Sequence, residues 1–539
     1  MDAPSPTLPN DVDALQSLAT ELSASVTDLQ SLLRNKELQI QKLQEQLNLN
    51  QHQRYGASSE KQDIQQMEWD FFNEAELLKA LDDSQQDQPD VEVASHKRRG
   101  RQKKPFPKKL PRVEVVHDLS DAQQQCSCGQ TMQHIGDDVS EQLAIIPKTY
   151  YVIKHIRRRY GCSCKACLRT ADMPSGVLPG TQASAQIIAH TLVSKHLDGL
   201  PLYRQEKMAA RDKVSLPRAK LARWSIGASE RYFEGMYQWL QKAFWQYDIS
   251  HSDETGIQVL KEEGRSAKNK SWLWLRRGGP PDRQVILVDY SPSRSGEVAG
   301  TLLENSRGYL ICDAYAGYNR AVREHGLLTV YCNDHARRRF KDIVNSLKKD
   351  HDVSNIIATR ALAWYKPLYA LEKQIKELDA DEKYQHRQAR ALPHWREFLA
   401  WTQKLIDDGV QHDATREALQ YVLNQAEGLM RYCEDGRLPI SNIKAEHVAK
   451  TIAVARKNFL FADTPAGAKA SAMTYSVLET AKLHGHHPFE YTTVLLNELA
   501  SVMTRDVTKK QLDDAYERLL PWNIAPAEVR AIFKTYPTP

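Results

Sequence analysis

The feature that most constrains the fold is a set of five short apolar segments between residues 246 and 333. Each is rich in aromatic or β-branched residues and is bounded by Gly, Pro or Ser, which is typical of strands. We expect strands at 247–251, 271–276, 284–290, 309–312 and 328–332. A helix at 295–304 separates the third from the fourth. Three consecutive strands, followed by alternating strands and helices, predict a mixed sheet with helices on its faces.

Two acids stand where strands of this sheet are expected to end. Asp253 follows the first strand and Asp313 follows the fourth, while Glu446 lies on a helix expected at 442–455. An acid just past a buried strand lies where sheet proteins place functional groups, although each acid taken alone could be an exposed strand-end or helix-face residue. Glu254 should point to the opposite face from Asp253, so we expect it to be a structural acid.

Three carboxylates that meet at one point require a cation. Two carboxylates about 4 Å apart repel by about 4 kcal/mol at an effective dielectric near 20, so the fold would lose stability or one acid would take a proton. Hard oxygen ligands favour Mg²⁺ or Mn²⁺, and two such ions form a clamp for in-line attack at phosphate. Nearby basic residues would hold the phosphates: His335, Arg337, Arg338, Lys450, Arg456 and Lys457.

A cysteine cluster predicts a zinc ribbon at 113–173. Five of the eight cysteines lie here, in two groups about 35 residues apart. Zinc prefers four soft ligands in a tetrahedron, and a module this small needs such a staple. The expected structural ligands are Cys126, Cys128, Cys164 and Cys167, with Cys162 as an alternative. Free cysteines in a small core are the weaker interpretation for so dense a cluster.

The N-terminal segment carries apolar residues at seven-residue spacing. One series holds Leu15, Leu22, Leu29 and Leu43, and Lys36 is its polar exception; the other holds Val26, Leu33, Ile40 and Leu47. No Gly or Pro interrupts the pattern, which is typical of a coiled-coil seam. A helix docked on its own domain is the alternative. We favour self-association as a homodimer or higher oligomer.

Between residues 63 and 112 an acidic run is followed by a basic run. Residues 63–92 carry ten acids and one Lys, and residues 97–112 carry nine bases and no acid. Such a basic run neutralises phosphates and releases counterions, which favours a DNA-contacting arm over a solvated linker. Its expected contacts are Arg98, Arg99, Arg101, Lys103 and Lys104.

Residues 181–245 have helical periodicity. Two helices meet around a short turn, and we expect Ser215 to cap the second, with Pro217 in its first turn. Arg218 and Arg223 lie on a basic face that suits either a helix-turn-helix or a plain helical connector.

Composition limits the remaining possibilities. A chain of 539 residues is too long for a single hydrophobic core, so we expect several structural units. It has no run of eighteen apolar residues, so we expect no membrane span. The N-terminus has neither a basic start nor an apolar stretch, which argues against a secretion signal. We therefore expect a cytoplasmic protein with reduced thiols.

Several blocks together resemble the transposases of bacterial insertion sequence 66. They are "DETGIQVL", "CDAYAGYN", "NDHARRRF", "CSCG…CSCKAC", the leucine seam before "RYGASSEK", and "LPISNIKAEHVAKTIAVARKNFLFADTPAGAKASAMTYSVLETAKLHGHHPFEY". They occur in the same order and cover residues from about 15 to about 505. The sequence departs from the family's usual Asp-Asn-Asn at Ser441, Asn442 and Ile443, and from its usual Trp-Ala-His at Asn333, Asp334 and His335.

The resemblance implies a DDE transposase with an RNase H-like core. Asp253, Asp313 and Glu446 would be its metal-binding triad, and a helical insertion would explain why the last two are 133 positions apart. Such an enzyme binds the terminal inverted repeats of its element, cuts DNA strands and joins the freed ends to target DNA, sometimes with accessory proteins. A nuclease that cuts without joining, and an inactive DNA-binding descendant, are the competing hypotheses.

We thus expect a multidomain α/β protein. Its order is a dimerising coiled coil at 12–50, an acidic then basic arm at 51–112, a zinc module at 113–173, a helical DNA-binding region at 178–245, an RNase H-like core at 246–344 and 438–490, an all-helical insertion at 345–437, and C-terminal helices at 491–539.

Overall fold

The computed structural model describes residues 148–161, 168–173, 176–347, 356–410, 412–503 and 506–537, with isolated helical positions between 25 and 36. The expected basic arm, the five clustered cysteines and most of the leucine seam lie outside the described residues. Contacts divide the chain into two units, and every strand and helix given below belongs to the unit that contains residues 153–539.

Within the described residues from 148 onward, a small hairpin and four α-helices precede the main sheet. Strands β1 (Arg159–Gly161) and β2 (Leu168–Thr170) pair antiparallel. The helices are α1 (Ala185–His196), α2 (Leu202–Arg211), α3 (Arg218–Ala228) and α4 (Glu234–Phe244). A π-helical turn at Ser229–Phe233 joins α3 to α4, so the two form one continuous helical rod.

The expectation for the start of α3 is wrong in one detail. Pro217, rather than Ser215, is the residue that precedes the first turn of α3, and no side chain caps that end. Because proline fixes its own backbone in a conformation compatible with helix entry, it can start the helix without a capping hydroxyl. Leu221 and Trp224 pack into the core, while Arg218 and Arg223 remain exposed.

A six-stranded mixed sheet forms the centre of the unit. Its strands are β3 (Ile249–Val259), β4 (Lys270–Gly278), β5 (Val285–Ser291), β6 (Tyr309–Cys312), β7 (Leu328–Tyr331) and β8 (Phe461–Ala462). The order is β5-β4-β3-β6-β7, and β8 pairs with the far end of β3. The first three strands run antiparallel, whereas β6, β7 and β8 join by parallel pairing.

Strand β3 is longer than the sequence predicts. It continues to Val259 instead of ending at 251, so Asp253 and Glu254 lie within the strand. Pairing with β4 is unbroken from His251 to Gln258, and the distal part is also paired with β8. The low strand propensity of the two acids is overridden because the antiparallel pairing with β4 runs through both positions, with Asp253 opposite Leu275 and Glu254 opposite Trp274.

Helices cover both faces of the sheet. Two short helices, α5 (Gly296–Leu302) and α6 (Tyr318–His325), pack on one face around Trp274 and Leu310. The other face packs against α13 (Ile443–Phe459) and α14 (Pro465–Leu483), around Leu275 and Ile286. The described part of the chain is therefore a mixed helix-and-sheet fold.

Strand β5 forms one edge of the sheet, and hydroxyl groups cover that edge. Thr480 and Ser476 of α14 accept hydrogen bonds from the backbone amides of Ile286 and Val288, at 3.0 and 2.8 Å. An uncovered edge strand would present these amides as free donors. The packing of α14 thus also satisfies the backbone of β5.

A helical segment lies between β7 and α13. It begins with α7 (Asn333–Ser346) and continues through α8 (Ile357–Gln374), α9 (Ala380–His386), α10 (Leu392–Asp407), α11 (Asp413–Asn424) and α12 (Ala426–Met430). Tyr365, Trp395 and Phe398 form its aromatic centre. The chain ends in α15 (Pro488–Val502), α16 (Lys509–Arg518) and α17 (Pro526–Phe533). None of the helices in the described ranges is both long and apolar enough to cross a bilayer.

Candidate active site

Strand β3 holds Asp253 among other acids. One oxygen, Asp253 Oδ1, accepts a hydrogen bond from the backbone amide of Glu254 at 2.8 Å. Burial, with the negative charges of Glu254, Glu446 and Asp313, raises the pKa of Asp253 to about 8. At neutral pH this carboxyl therefore carries a proton unless a cation takes its place.

Asp313 follows β6, the parallel neighbour of β3. The pairing of Ile249 with Tyr309 and of His251 with Ile311 directs both strands toward the same end of the sheet. Asp313 Oδ1 accepts a hydrogen bond from the amide of Tyr315 at 3.1 Å, which fixes the side chain over the turn that leads to α6. The register of the sheet thus brings Asp313 to the level of Asp253.

The first turn of α13 carries Glu446. Its Oε1 lies 3.3 Å from the Cys332 sulfur and 3.4 Å from His335 Nδ1, and its Oε2 lies 3.9 Å from Arg338 Nη2. The thiol and the two basic side chains come from the start of α7. Glu446 therefore lies between the sheet and α7, and its charge reaches Asp253.

Asn442 fixes the position of α13 relative to the sheet. Its Oδ1 accepts a hydrogen bond from His251 Nδ1 at 3.0 Å, and its Nδ2 donates to the carbonyl of Ser252 at 2.8 Å. Its backbone amide contacts the Cys332 sulfur at 3.2 Å. Because Asn442 is fully buried, these contacts set the distance between Glu446 and β3.

Two of the departures from the family pattern have structural partners. The Nδ2 of buried Asn333 donates to the carbonyls of Leu429 and Ile440, at 3.0 and 3.2 Å. Asp334 Oδ1 accepts from the hydroxyl of Tyr369 at 2.6 Å. Asn333 thus joins the start of α7 to α12 and to the loop before α13, and Asp334 joins it to α8. These contacts help to hold His335 of α7 near Glu446 of α13.

Glu254 lies on the other face and is a paired, buried acid, with a side chain only 1% exposed. It forms an ion pair with Arg294, whose Nε lies 2.7 Å from Glu254 Oε1, and accepts from the Tyr318 hydroxyl at 2.7 Å. The Arg294 guanidinium stacks on Tyr315 and Trp272, with its carbon 3.7 and 4.8 Å from the ring centroids.

Arg294 connects the two aspartate-bearing segments, and no sequence motif marks it as a functional residue. The Tyr315 hydroxyl donates to the carbonyl of Arg294 at 2.6 Å, and the amide of Tyr315 binds Asp313. Arg294 also contacts Glu254, which is the residue next to Asp253. No local pattern predicts this, because the partners lie up to 40 residues apart.

The described basic candidates lie on three helices. His335 and Arg338 contact Glu446, while Arg337 lies over the Tyr369 ring and 3.9 Å from Asp334. Lys450, Arg456 and Lys457 extend along α13, where Lys450 and Lys457 are exposed. Arg218 and Arg223 lie exposed on α3. Arg338 is the most solvent-accessible of the Glu446 neighbours, with a side chain 54% exposed.

The carboxylates suit a hard divalent cation better than a soft one. Three acids supply oxygen donors, and the raised pKa of Asp253 shows that its anion lacks a compensating positive charge. The thiols of Cys312 and Cys332 are buried, and burial raises the pKa of each well above its usual value. Mg²⁺ or Mn²⁺ fits the oxygen set, whereas thiolate ligation belongs to softer ions.

Family comparisons cover most of the chain. Residues 180–470 match the model described as "Transposase IS66 family". Residues 42–115 match "Transposase C of IS166 homeodomain", and residues 123–165 match "zinc-finger binding domain of transposase IS66". The last match contains four of the five clustered cysteines, Cys126, Cys128, Cys162 and Cys164.

Full-length relatives occur in Sinorhizobium fredii. The uncharacterized protein y4jD is 28% identical over 532 residues, which cover 96% of this chain and 97% of that protein. The uncharacterized protein y4qI is 25% identical over 549 aligned positions, which cover 96% of this chain and 98% of that protein. The main family model alone spans more than half of the 539 residues, and the chain belongs to the IS66 transposase family.

Proposed function

We propose that this protein is a DNA transposase that cuts the ends of its insertion sequence and joins them to target DNA. The observation that carries the proposal is the sheet register that brings Asp313, just past the end of β6, level with Asp253 on β3, with Glu446 on the first turn of a helix packed beside them. The charges of Asp313 and Glu446 both raise the pKa of Asp253. Such a group of acids has a large cost unless divalent cations fill it. Family membership supplies the substrate class.

Asp253, Asp313 and Glu446 would hold two Mg²⁺ or Mn²⁺ ions. When bound, the ions supply an activated water or DNA 3′-hydroxyl and stabilise the leaving oxygen. Asp253 releases its proton on loading. Arg294 and Asn442 keep the three acids at fixed separations. Water and a 3′-hydroxyl are equivalent nucleophiles for such a site, so one set of residues serves both cleavage and joining.

The strand order supports an RNase H-like core. The sheet has three antiparallel strands, the first of them central, and two further parallel strands beside it, so that Asp253 lies on β3 and Asp313 directly follows the adjacent strand β6. The helices between β7 and α13 then form an insertion that precedes Glu446. We therefore propose that 246–344 and 438–490 form the catalytic core and 345–437 the insertion.

DNA binding is proposed for basic surfaces both near and far from the acids. His335, Arg337, Arg338, Lys450, Arg456 and Lys457 would contact phosphates beside the active site, and Arg218 and Arg223 would contact DNA from α3. The arm residues Arg98, Arg99, Arg101, Lys103 and Lys104 would add contacts to the terminal repeats. This activity would take place in the bacterial cytoplasm, on nucleoid DNA.

The N-terminal proposals concern assembly. The zinc-finger match supports structural Zn²⁺ in the cysteine cluster. As its ligands we propose Cys126, Cys128, Cys164 and Cys167, with Cys162 as the alternative ligand. Val26 and Leu29 of the leucine seam are 49% and 63% exposed in the single chain, which favours a second copy as the partner of that seam. Accessory proteins of the same element are further candidate partners.

A strand-transfer assay tests the proposal. The substrate is a duplex that ends in the inverted repeat flanking the reading frame, either intact or pre-cleaved, with Mg²⁺ or Mn²⁺. We expect joined product from the wild type and a loss of at least a thousandfold in Asp253→Asn, Asp313→Asn and Glu446→Gln. Asp282→Asn, an exposed acid of the β4–β5 turn, is the matched control and should retain activity.

The rival functions give different products. Hydrolysis without joining from the pre-cleaved substrate would identify a nuclease. Repeat-specific binding, with no cleavage and no Mg²⁺ binding, would identify an inactive DNA-binding descendant. Either result would refute the proposed strand transfer.

A further inference from the structure

A second group of potential metal ligands lies beside the carboxylates. Cys332 stands at the entry to α7, His335 lies in the first turn of that helix, and Glu446 lies in the first turn of α13. Each offers one ligand atom, and the three atoms all lie within 4.8 Å of one another. This set shares Glu446 with the proposed Mg²⁺ site, but its other donors are a sulfur and an imidazole nitrogen.

The distances match a tetrahedral site. Bond lengths of about 2.3 Å to sulfur and about 2.0 Å to nitrogen or oxygen give tetrahedral edges of about 3.5 Å from sulfur to oxygen and about 3.3 Å from nitrogen to oxygen. The observed separations from Glu446 Oε1 are 3.3 Å to the Cys332 sulfur and 3.4 Å to His335 Nδ1. Small side-chain adjustments would therefore place all three atoms around one ion.

Hydrogen bonds do not satisfy the buried ring nitrogen of His335. Its Nδ1 is buried and has no hydrogen-bond partner of acceptable geometry, although it faces the carboxylate oxygen at 3.4 Å. Buried polar atoms are normally satisfied, and an orphaned one often marks an ion or water. A bound ion in contact with Nδ1, Oε1 and the sulfur would satisfy all three groups.

We propose that Cys332, His335 and Glu446 form a site for a thiophilic divalent ion such as Zn²⁺, and that its occupation withdraws Glu446 from the Mg²⁺ pair. A fourth position is left for water. Binding transfers the Cys332 thiol proton to solvent, and a sulfur–metal bond replaces the S–H bond with no change of oxidation state. Sulfur and imidazole donors select Zn²⁺ over Mg²⁺.

The proposal has two parts, metal binding and inhibition of DNA cleavage, which rest on different assumptions. Metal binding depends only on the three side chains. Inhibition of DNA cleavage rests on the proposed transposase function, because it requires that Glu446 serve the Mg²⁺-dependent reaction. The site would then switch the enzyme off when thiophilic ions accumulate, through competition for a single carboxylate.

Cobalt spectroscopy tests the binding. The metal-free full-length protein is first given one equivalent of Zn²⁺, which the zinc-finger region with its several thiolates takes ahead of a site with one thiolate, and is then titrated with Co²⁺. We expect one further equivalent with a thiolate-to-cobalt charge-transfer band. Cys332→Ser should abolish the band, and His335→Ala should weaken Co²⁺ affinity at least tenfold. Cys433→Ser, which alters a buried thiol of the helical segment, is the matched control and should keep the band.

Zinc inhibition tests the consequence. Cleavage is measured in Mg²⁺ with added Zn²⁺, and each variant is normalised to its own rate without Zn²⁺. We expect Cys332→Ser to require at least tenfold more Zn²⁺ for half-inhibition than wild type or Cys433→Ser. Equal inhibition of wild type and Cys332→Ser would overturn the competition.

Absence of the additional band in wild type, or its persistence in Cys332→Ser, would overturn the site itself. A protein with no Mg²⁺-dependent cleavage would refute the proposed function, while the cobalt result would still decide whether the site exists.

Discussion

Replacement of Asp253 by Asn should make the metal-free protein more stable while it abolishes activity. The substitution keeps the shape of the side chain and removes the buried charge. In the wild type the pKa of Asp253 is about 8, against 3.8 for an ordinary aspartate, because of burial and of the acids around it. Folding at neutral pH therefore requires this carboxyl to take up a proton, which opposes the folded state.

The magnitude follows from the difference in proton affinity. At pH 7 the unfolded aspartate lies about 3 pH units above its pKa, so proton uptake costs about 4 kcal/mol. Partial solvent access to Asp253 reduces this to about 2 kcal/mol. For a domain of this size that corresponds to a rise of about 4 °C in the unfolding midpoint. The raised pKa also sets the sign of the pH dependence: wild-type stability falls as pH rises from about 4 to about 8.

The assay compares unfolding midpoints in EDTA at pH 6, 7 and 8. We expect the advantage of Asp253→Asn over wild type to grow with pH and to level off above pH 8. Asp282→Asn, the same chemical change at a side chain 71% exposed, should leave the midpoint unchanged. A variant that is no more stable than wild type at any of these pH values would refute the electrostatic reasoning, because it would show that Asp253 is already ionised at no cost.

Three further perturbations follow from the same site. Glu254→Gln leaves the stacked Arg294 without its buried counter-charge, so we expect the free energy of unfolding to fall by about 2 kcal/mol, measured by denaturant titration. Asn442→Ala removes the partners of the His251 ring and the Ser252 carbonyl; we expect a loss of about 2–3 kcal/mol, and an unchanged stability would contradict the anchoring role. Mg²⁺ at a hundred times its dissociation constant should stabilise wild type by about 2.7 kcal/mol and Asp253→Asn by far less, as followed by thermal unfolding.

Local sequence patterns predict much of the sheet but miss the length of its central strand. The segments at 271–276, 284–290, 309–312 and 328–332 each lie within one or two residues of a strand, because their apolar residues pack on both faces. The continuation of β3 beyond residue 251 is held by its antiparallel pairing with β4, and its last two residues also pair with β8, which comes from some two hundred residues further along the chain. Such pairing leaves no trace in a local window.

The site shows the same division. Asp253, Asp313 and Glu446 can be predicted from the sequence because two of them follow apolar strand segments and the third lies on an expected helix. Arg294, Asn442 and Asn333 do not, since an isolated arginine or asparagine in a sequence has no periodicity that reveals burial or partners. Their roles arise from tertiary contacts between segments that are far apart in the chain, and these contacts determine the spacing of the acids.

The way in which α14 covers β5 limits how two copies of this protein can associate. The outward amides of Ile286 and Val288 are already bound by side-chain hydroxyls, and at the opposite edge the Arg431 guanidinium donates to the carbonyl of Thr329 on β7 at 2.5 Å. A neighbouring molecule would have to break these bonds before it could extend the sheet. If two copies associate, as we propose for the transposition reaction, they should accordingly meet through helices and loops, with their sheets kept apart.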